Sequence, residues 1–240
     1  MDIKENNILG EEINSHWYYY SKAKAMTRLL DKKNVSTVLD IGAGSGFFSK
    51  YLLNHSSAKE AWCIDISYKN DVDGLESGKP IHFRQSINSL NADLVLLMDI
   101  LEHIDDDIGF LKNCIAKAPP GTTFLISVPA FEFLWSEHDI FLEHRRRYML
   151  KHIESIASST GLKVKTGCYY FGAVFPIAVT TRIIGKLLRK NTQQPRSQLK
   201  QHHPLLNTFL AALCHPELSL IKHNRLAGLT VFCLAESRQA

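Results

Sequence analysis

A glycine-rich turn joins a short apolar run to a helical segment near the start of the chain. The turn reads Asp40-Ile41-Gly42-Ala43-Gly44-Ser45-Gly46, and its glycines allow backbone N–H groups to approach a ligand closely. The next apolar run ends in Asp65, 19 residues after Gly46, where a carboxylate can accept ribose hydroxyls. The pattern therefore predicts a nucleoside-binding site at the ends of two neighbouring strands.

The spacing of the glycines indicates which kind of nucleoside fits. A dinucleotide fingerprint, G-x-G-x-x-G/A, needs a small residue at its sixth position, whereas this turn has Phe47 there. Phe47 would obstruct the approach of a pyrophosphate, and the lysine of a P-loop is absent from the turn. We therefore expect a ligand that carries adenosine and an amino acid without phosphates. An NAD-dependent oxidoreductase is the disfavoured alternative.

A second group of reactive side chains lies in the segment HDIFLEHRRRY. Histidine exchanges a proton near neutral pH, so His138 or His144 could deprotonate an acceptor, with Asp139 orienting one of them. Arg146 or Arg147 could clamp a carboxylate or phosphate. The alternative is a structural salt-bridge network in which an arginine pairs with Asp139. The predicted substrate contacts are Trp135, Arg146, Arg147 and Tyr148.

Apolar runs that alternate with helical segments predict an α/β fold with a doubly wound parallel sheet. We predict seven strands, six parallel and the last antiparallel. Their ranges are 35–42, 61–67, 81–85, 93–99, 122–128, 162–171 and 228–236. Residues 68–80 are predicted to form a loop, with a short helix within it as the alternative. The acidic run Asp105–Asp107 is expected to complement the N-terminus of a helix.

This pattern divides the chain into three parts. Residues 1–34 form a predicted helical cap, 35–171 and 226–240 the core, and 172–225 a helical insertion between the last two strands. One insertion helix carries Val179, Ile183, Ile184, Leu187 and Leu188 on one side. Its other side carries Arg182, Lys186, Arg189 and Lys190. Such a basic amphipathic helix is typical of a membrane-surface segment, and the alternative is a lid whose apolar stripe packs on the sheet.

Composition and charge limit the classes of protein. The 240 residues are 45% apolar and carry a net charge of +4, which excludes a disordered or collagen-like chain. Residues 181–240 hold nine basic and two acidic side chains. This basic region predicts either a solvated face or a surface for lipid headgroups or a phosphate-bearing substrate. We expect no nucleic-acid partner.

Cysteine usage and the apolar stretches bear on the compartment. The five cysteines are scattered without a C-x-x-C pair, so neither a disulfide framework nor a metal site is expected. The first ten residues lack the order of a signal peptide, and the longest apolar stretch, 171–181, is too short to span a bilayer. We expect a cytoplasmic protein, with a peripheral position at the inner membrane face as the alternative.

Four segments together resemble the motifs of class I S-adenosylmethionine-dependent methyltransferases, whose fold is Rossmann-like. They are VLDIGAGSG, AWCIDIS, LVLLMDILEHIDDD and APPGTTFLISVPA, within residues 35–130. Two further stretches narrow the resemblance to a bacterial subgroup often linked to glycan or lipid pathways. His16–Tyr19 resembles its HWWF-like stretch, and 134–148 resembles its LWS-x-HD…H-x-RRY signature.

The resemblance implies a role for each matching residue. Gly42, Ala43, Gly44 and Gly46 would line the methionine part and the ribose, Asp40 would shape the turn, and Asp65 would hold the ribose with Ile66 against the adenine. The position that often carries an adenine-binding Asp falls on Ser86 or Ile87. Met98 and Asp99 would border the sulfonium, with His103 farther out. Lys22 would bind the carboxylate of the cofactor. Apart from the resemblance, the aromatic residues Tyr18–Tyr20 are expected either to pack in the core or to cover the cofactor, and Tyr20 is assigned to the cofactor.

The predicted function is methyl transfer from S-adenosylmethionine to an oxygen or nitrogen of a small-molecule, lipid-linked or glycan-linked acceptor. The cofactor is already activated, so the protein mainly has to align the acceptor with the methyl group. The alternative is a non-catalytic module of the same fold that binds the cofactor or a lipid surface.

Overall fold

A computed structural model describes residues 8–31, 33–88, 91–188 and 203–238. Predictions for Arg189 and Lys190 fall outside these ranges. Glycine and proline punctuation separates strands and helices in the sequence, and the described elements alternate in the same way along most of the chain.

Eight strands form one mixed sheet. They are β1 (Thr37–Ile41), β2 (Glu60–Ile64), β3 (Val72–Glu76), β4 (Lys79–Arg84), β5 (Leu94–Met98), β6 (Thr123–Pro129), β7 (Leu162–Tyr170) and β8 (Thr230–Ser237). Their order across the sheet is β3-β4-β2-β1-β5-β6-β8-β7. The strand order reverses between β1 and β5, and ligands of such sheets bind beyond the strand ends at this point.

The predicted count of seven strands is wrong. Val72–Glu76, within the predicted loop 68–80, pairs antiparallel with β4 through a turn at Ser77 and Gly78. Two strands, β3 and β8, therefore run against the rest. The hairpin was missed because Val72 to Leu75 are exposed on both faces, so the sequence shows no apolar alternation there.

Helices cover both faces of the sheet. They are α1 (Trp17–Leu29), α2 (Phe47–His55), α3 (Asp107–Ala116), α4 (Glu137–Leu142), α5 (Leu150–Ser159), α6 (Phe175–Leu188), α7 (Pro204–Cys214) and α8 (Glu217–Leu220). The side chain of Asp106 accepts a hydrogen bond from Gly109 N and caps α3, as the acidic run predicts. Two apolar clusters, one on each face, hold the layers together. Within the described ranges, no helix has the length and apolar character needed to cross a bilayer.

The N-terminal helix α1 is attached to the segment between β7 and β8. Asn207 of α7 accepts a hydrogen bond from Trp17 N at 2.7 Å and donates one to Ser15 O at 2.8 Å. Tyr18 stacks on Phe171 with ring centroids 5.1 Å apart. We refer to the two Asn207 hydrogen bonds as the Asn207 clamp. It fixes the start of α1 beside the carboxyl ends of the strands.

Candidate cofactor and acceptor site

The glycine turn connects β1 directly to α2. Gly42, Gly44 and Gly46 have φ of 73°, 55° and 73°, a left-handed region that glycine enters without steric cost. A Cβ at Gly46 would lie 2.9 Å from Cε1 of Phe83. Both observations explain why glycines occupy the turn, and they leave its surface bare of side chains for a ligand.

Asp65 at the end of β2 is tied to this turn. Its Oδ2 accepts a hydrogen bond from Gly44 N at 2.9 Å, and its Oδ1 accepts one from Ser67 N at 3.0 Å. Burial acts to raise the pKa of Asp65, but the hydrogen bonds from Ser67 outweigh it and lower that pKa. An ionised carboxylate therefore adjoins the turn at neutral pH. Asp40, on β1, accepts a hydrogen bond from Ser49 Oγ at 2.8 Å.

The residues predicted to face an adenine lie at the edge of the same site. Ile66, next to Asp65, is 87% exposed. Ser86 is exposed beyond the end of β4, whereas Ile87 packs partly against an apolar cluster. Gln85 Nε2 donates to Ile66 O at 3.4 Å, a link between the ends of β2 and β4 that the sequence did not indicate.

Asp99 lies just beyond β5 in a strained backbone conformation. Its φ is 54°, which is uncommon for a residue other than glycine and concentrates at functional sites. Its Oδ1 accepts a hydrogen bond from Ser127 Oγ at 2.7 Å, and its Oδ2 forms an ion pair with Lys22 Nζ of α1. Burial lowers the pKa of Lys22, but the charge and hydrogen bond of Asp99, together with Tyr18 and Glu102, outweigh it and the net shift is upward. The ammonium is fully buried against Asp99, and its predicted contact with the cofactor carboxylate stays a prediction.

A cavity of about 240 Å³ extends from the glycine turn to helices α4 and α6. Of the residues predicted for the cofactor, Asp40, Gly42, Ala43, Met98 and Asp99 line it. Of the residues predicted for the acceptor, His138, His144 and Arg147 line it. The cavity therefore joins the glycine turn to the histidine-rich segment.

Asp139 organises one wall of the cavity. Arg147 donates to it twice, from Nε at 2.7 Å and from Nη2 at 3.0 Å, and His144 Nδ1 lies 3.0 Å from its Oδ1. Burial would raise the pKa of Asp139, but the His144 hydrogen bond and the Arg147 charge hold it well below its usual range. Arg147 is thus engaged in the salt-bridge network that we gave as the alternative to substrate binding. With Asp139 on Nδ1, His144 has Nε2 available on the cavity side.

Two further side chains of this wall are half-buried. Burial lowers the pKa of His138 to about 4, so its imidazole is neutral at physiological pH. Arg182 of α6 lies with Nη1 3.9 Å from Asp139 Oδ2, and burial followed by the Arg147 charge lowers its pKa to about 10. Arg182 was predicted on the outer, polar side of α6. That placement is wrong, because the side chain lines the cavity instead.

The apolar residues of α6 show the reverse arrangement. Ile183 and Ile184 are exposed, and Ile177 is exposed one turn earlier on the helix. The alternative of a lid with its apolar stripe on the sheet does not hold for these side chains. The helix buries its arginine and presents isoleucines to solvent.

Glu102 is the site residue that sequence reasoning missed. It lies in a 3₁₀ turn, Leu101–His103, directly after β5, and it lines the cavity. It is fully buried, and neither carboxyl oxygen has a hydrogen-bond partner among the described residues. Burial, reinforced by the Asp99 charge, raises the pKa of Glu102 well above its usual range. An acidic residue so close to the apolar strand 93–99 was the available signal.

Several predicted site residues lie outside the cavity. Tyr20 is directed toward Tyr51, with ring centroids 6.4 Å apart, while Trp17, Tyr18 and Tyr19 of the same helix line the cavity. Arg146 Nη1 lies 3.5 Å from Asp107 Oδ2. Tyr148 is fully buried, and its hydroxyl donates to Asp107 Oδ2 at 2.9 Å.

Trp135 and His103 also lie outside the lining of this cavity. Trp135 is half-buried at the end of a 3₁₀ turn, Glu132–Leu134. His103 lies edge-on to His144, with ring centroids 4.9 Å apart, and burial lowers its pKa to about 4. His103 therefore lies next to His144 but outside the cavity lining. The ligand contacts predicted for His103 and Trp135 remain predictions.

The arrangement fits S-adenosylmethionine. The glycine turn lines the cavity through Gly42 and Ala43 and lies next to an ionised Asp65 that can accept ribose hydroxyls, and exposed Ile66 offers an apolar surface for a base. Asp40 and Asp99 are acidic groups on the cavity side, where a sulfonium and an ammonium group carry positive charge. The cavity continues past them to the histidines, so a methyl donor and its acceptor have adjoining places.

Comparisons with known proteins agree with this geometry. The family described as "Methyltransferase domain" matches residues 15–167. The "Ubiquinone biosynthesis O-methyltransferase" of Nitrosospira multiformis is 32% identical over 95 residues, covering 35% of this chain and 39% of the relative. That of Paramagnetospirillum magneticum is 32% identical over 98 residues, covering 37% and 39%. The chain thus matches about two fifths of the length of these curated relatives.

Solved structures share the fold at low sequence identity. A chain from the complex between the Haloferax volcanii Trm112 methyltransferase activator and a methyltransferase superposes with a TM-score of 0.58 at 15% identity, covering 95% of this chain and 92% of that one. A SAM-dependent methyltransferase from Archaeoglobus fulgidus gives 0.54 at 14% identity, covering 98% of both. The chain belongs to the methyltransferase domain family, with the class I fold of S-adenosylmethionine-dependent enzymes.

Proposed function

We propose that the protein transfers a methyl group from S-adenosylmethionine to a hydroxyl or amine of a small-molecule acceptor. One observation carries the proposal: a single cavity joins the glycine turn to a histidine held by a buried aspartate. The curated relatives named for an O-methyltransferase activity support the reaction class. When bound, the cofactor supplies an activated methyl group on a positively charged sulfur.

The residues around the turn bind and orient. Asp65 holds the ribose hydroxyls, and Ile66 lies against the adenine, with Ser86 and Ile87 at its edge. Gly42, Gly44 and Gly46 accommodate the methionine chain, and Met98 and Asp99 border the methyl group. Alignment of this kind contributes roughly 7–11 kcal/mol in well-oriented reactions.

The cavity residues His138, His144 and Arg182 contact the acceptor. Asp139 holds Nδ1 of His144, which leaves Nε2 as an acceptor of a hydrogen bond from the hydroxyl or amine. Neutral His138 offers a second nitrogen on the same wall. Arg182 supplies a positive charge for an acceptor that carries a carboxylate or phosphate, the role that the sequence assigned to Arg146 or Arg147.

We test the reaction by calorimetry with S-adenosylhomocysteine, followed by transfer of label from S-adenosylmethionine to a fractionated cell extract. We expect binding and one labelled fraction. Asp65→Asn should weaken binding, while Asp73→Asn, on the exposed hairpin strand β3, should not. Binding of NADH in place of S-adenosylhomocysteine would reject the proposal, and binding without any labelled product would favour the non-catalytic alternative.

We also propose that the segment between β7 and β8 contacts a membrane surface, which would bring a lipid-linked acceptor to the cavity. Helices α6 and α7 expose Ile177, Ile183, Ile184, Leu205, Leu206 and Phe209. Exposed apolar side chains beside a basic region are typical of interfacial helices. The position would be peripheral, at the cytoplasmic face.

Co-sedimentation with phosphatidylglycerol vesicles tests the contact. We expect the double variant Leu205→Ser/Phe209→Ser to sediment less than wild type. Ile108→Ser removes an exposed isoleucine on α3 and serves as the control. Equal sedimentation of the double variant and wild type would reject the membrane contact.

A further inference from the structure

The carboxyl group of Glu102 is unusual within the described part of the chain because it is buried without a hydrogen-bond partner. Both oxygens lack one among the described residues, although the side chain is completely enclosed. Leaving a buried polar group unsatisfied costs about 1–3 kcal/mol, and more for a charged group. A protein retains such a group at a cost in stability when a ligand satisfies it.

The position of Glu102 indicates which ligand would do so. It follows Met98 and Asp99 along the same strand end and lines the same cavity. Its Oε1 lies 4.0 Å from Nε2 of His144, whose other nitrogen is held by Asp139. A separation of 4.0 Å is too long for a direct hydrogen bond, but an acceptor hydroxyl or amine beside the pair can contact both.

Burial has opposite effects on the acids and the bases of this wall. Protonating a buried imidazole creates a charge, and burial accordingly lowers the pKa of His138 and of His103 to about 4. Protonating a buried carboxylate removes a charge, and burial accordingly raises the pKa of Glu102. The same dry environment that weakens these imidazoles as bases strengthens the carboxylate.

Charged groups from several parts of the chain act on Glu102. Asp99 beyond β5 favours the protonated carboxyl, whereas Lys22 of α1 and Arg147 favour the carboxylate. His144 lies 4.0 Å from it, and the pKa of the nearby Tyr148 hydroxyl is raised by burial and Asp107, with a smaller contribution from Glu102. The two cations allow the carboxylate to form despite its burial.

On this basis, which rests on the proposed function, we infer that Glu102 is a catalytic residue that accepts the proton of the acceptor's hydroxyl or amine, while His144 hydrogen-bonds the same group. The O–H or N–H bond breaks and its proton goes to Glu102. The electron pair left on that atom forms the bond to the methyl carbon, as the carbon–sulfur bond of the methyl sulfonium donor breaks and leaves its pair on sulfur.

The first test needs no acceptor. Because the folded-state pKa of Glu102 is raised, the folded protein retains a proton that the unfolded chain releases near pH 4.5, and stability falls as the pH rises from there to the folded pKa. Glu102→Gln removes this loss. We expect the Tm of Glu102→Gln, relative to that of wild type, to rise as the pH is raised from 5 to 8. The Tm of the exposed control Glu143→Gln should change with pH as that of wild type does. Parallel curves for Glu102→Gln and wild type would overturn the inference.

The second test measures methyl transfer from labelled S-adenosylmethionine to the fractionated cell extract. General base catalysis contributes about 10²–10⁴-fold, so we expect Glu102→Gln to lose at least the lower figure in rate, and Glu102→Asp to recover part of it. In wild type, the rate should rise with pH through the pKa of Glu102, and this dependence should be absent from the residual activity of Glu102→Gln.

The outcomes separate this inference from the proposed function. If wild type neither binds S-adenosylhomocysteine nor transfers label, the proposed function fails. If wild type transfers label and Glu102→Gln does so at the same rate, only the role of Glu102 fails.

A metal site is the competing explanation for this cluster. A carboxyl oxygen of Glu102 and a ring nitrogen each of His103 and His144 lie within 4.8 Å of one another. Loss of transfer on treatment with EDTA, restored by a divalent cation, would therefore overturn the proton-acceptor role in favour of a metal site.

Discussion

Replacing Lys22 by methionine tests how α1 is fastened over the cavity. The Lys22 ammonium is fully buried and pairs with Asp99, and it lies 3.4 Å from the Tyr18 hydroxyl oxygen. Methionine keeps the length of the side chain but removes the charge. Among the described residues, the change leaves the Asp99 side chain with the Ser127 hydrogen bond alone, in a largely enclosed site.

The magnitude follows from the burial of the pair. Removing one partner of a buried ion pair typically costs 3–5 kcal/mol. The Asp99 side chain is 20% exposed toward the cavity and can regain some hydration, so we expect a cost of about 3 kcal/mol, near the lower bound. For a chain of this length that corresponds to a fall in Tm of roughly 6–12 °C.

A double-mutant cycle provides the assay. Urea unfolding of wild type, Lys22→Met, Asp99→Asn and the double variant gives the coupling free energy between the two side chains. We expect the double variant to be more stable than Lys22→Met, since it no longer buries an unpaired carboxylate. Lys33→Met is the control, because its pair with Glu236 lies at the surface and contributes at most about 1 kcal/mol.

The pH dependence gives a second check. The pKa of Lys22 is raised, so its contribution is complete below the unfolded-state pKa and is lost only as the pH rises through the higher folded-state value. Lys22 also acts on the titration of Glu102, so the comparison is made in the Glu102→Gln background, where the cost of Lys22→Met should be constant between pH 6 and 9. A cost equal to that of Lys33→Met, or strictly additive effects in the cycle, would refute the reasoning.

Three further predictions concern the glycine turn, the Asp139–Arg147 ion pair and the buried thiols. Gly46→Ala should lower the free energy of unfolding by at least about 1–2 kcal/mol, because φ is 73° and the new Cβ would meet Phe83, and calorimetry should show weaker S-adenosylhomocysteine binding. Asp139→Asn should cost about 3–5 kcal/mol at pH 7 by leaving Arg147 buried without its partner. Because the pKa of Asp139 is lowered in the folded state, wild type loses this advantage progressively as the pH falls below about 4. The free energies of unfolding of wild type and Asp139→Asn, measured in urea, should therefore approach each other as the pH is lowered further. All five cysteines are buried, so a thiol reagent should label the native protein slowly and all five after unfolding; rapid labelling of native Cys114, whose pKa burial raises to about 11, would contradict its placement.

Much of the sheet could be predicted because central parallel strands are apolar on both faces. Leu94–Met98 is buried at every position, and the glycine turn after β1 has a sequence that only a few backbones satisfy. Strand β3 could not be predicted, because its exposed residues carry no alternation and depend on pairing with β4.

The site shows the same division between local and tertiary information. The residue types of the histidine segment indicated chemistry, but only the fold decides that Arg147 faces Asp139 while Arg146 faces Asp107. Glu102 was passed over because a glutamate after an apolar strand is only a weak signal, and its complete burial is visible only in the fold. Arg182 was assigned to solvent because helical periodicity separates two faces without indicating which of them is buried.

The Asn207 clamp has a thermodynamic consequence. Helix α1 lines the cavity through Trp17, Tyr18 and Tyr19. Two hydrogen bonds connect its start to α7, which exposes apolar side chains. A ligand that binds α7 and changes how α7 packs against α1 therefore changes the affinity of the cavity for its own ligand. By linkage, a ligand in the cavity changes the affinity at α7 by the same factor. Occupancy at the outer surface and occupancy of the interior are thereby coupled through the contacts of α1 with this segment, the Asn207 clamp among them.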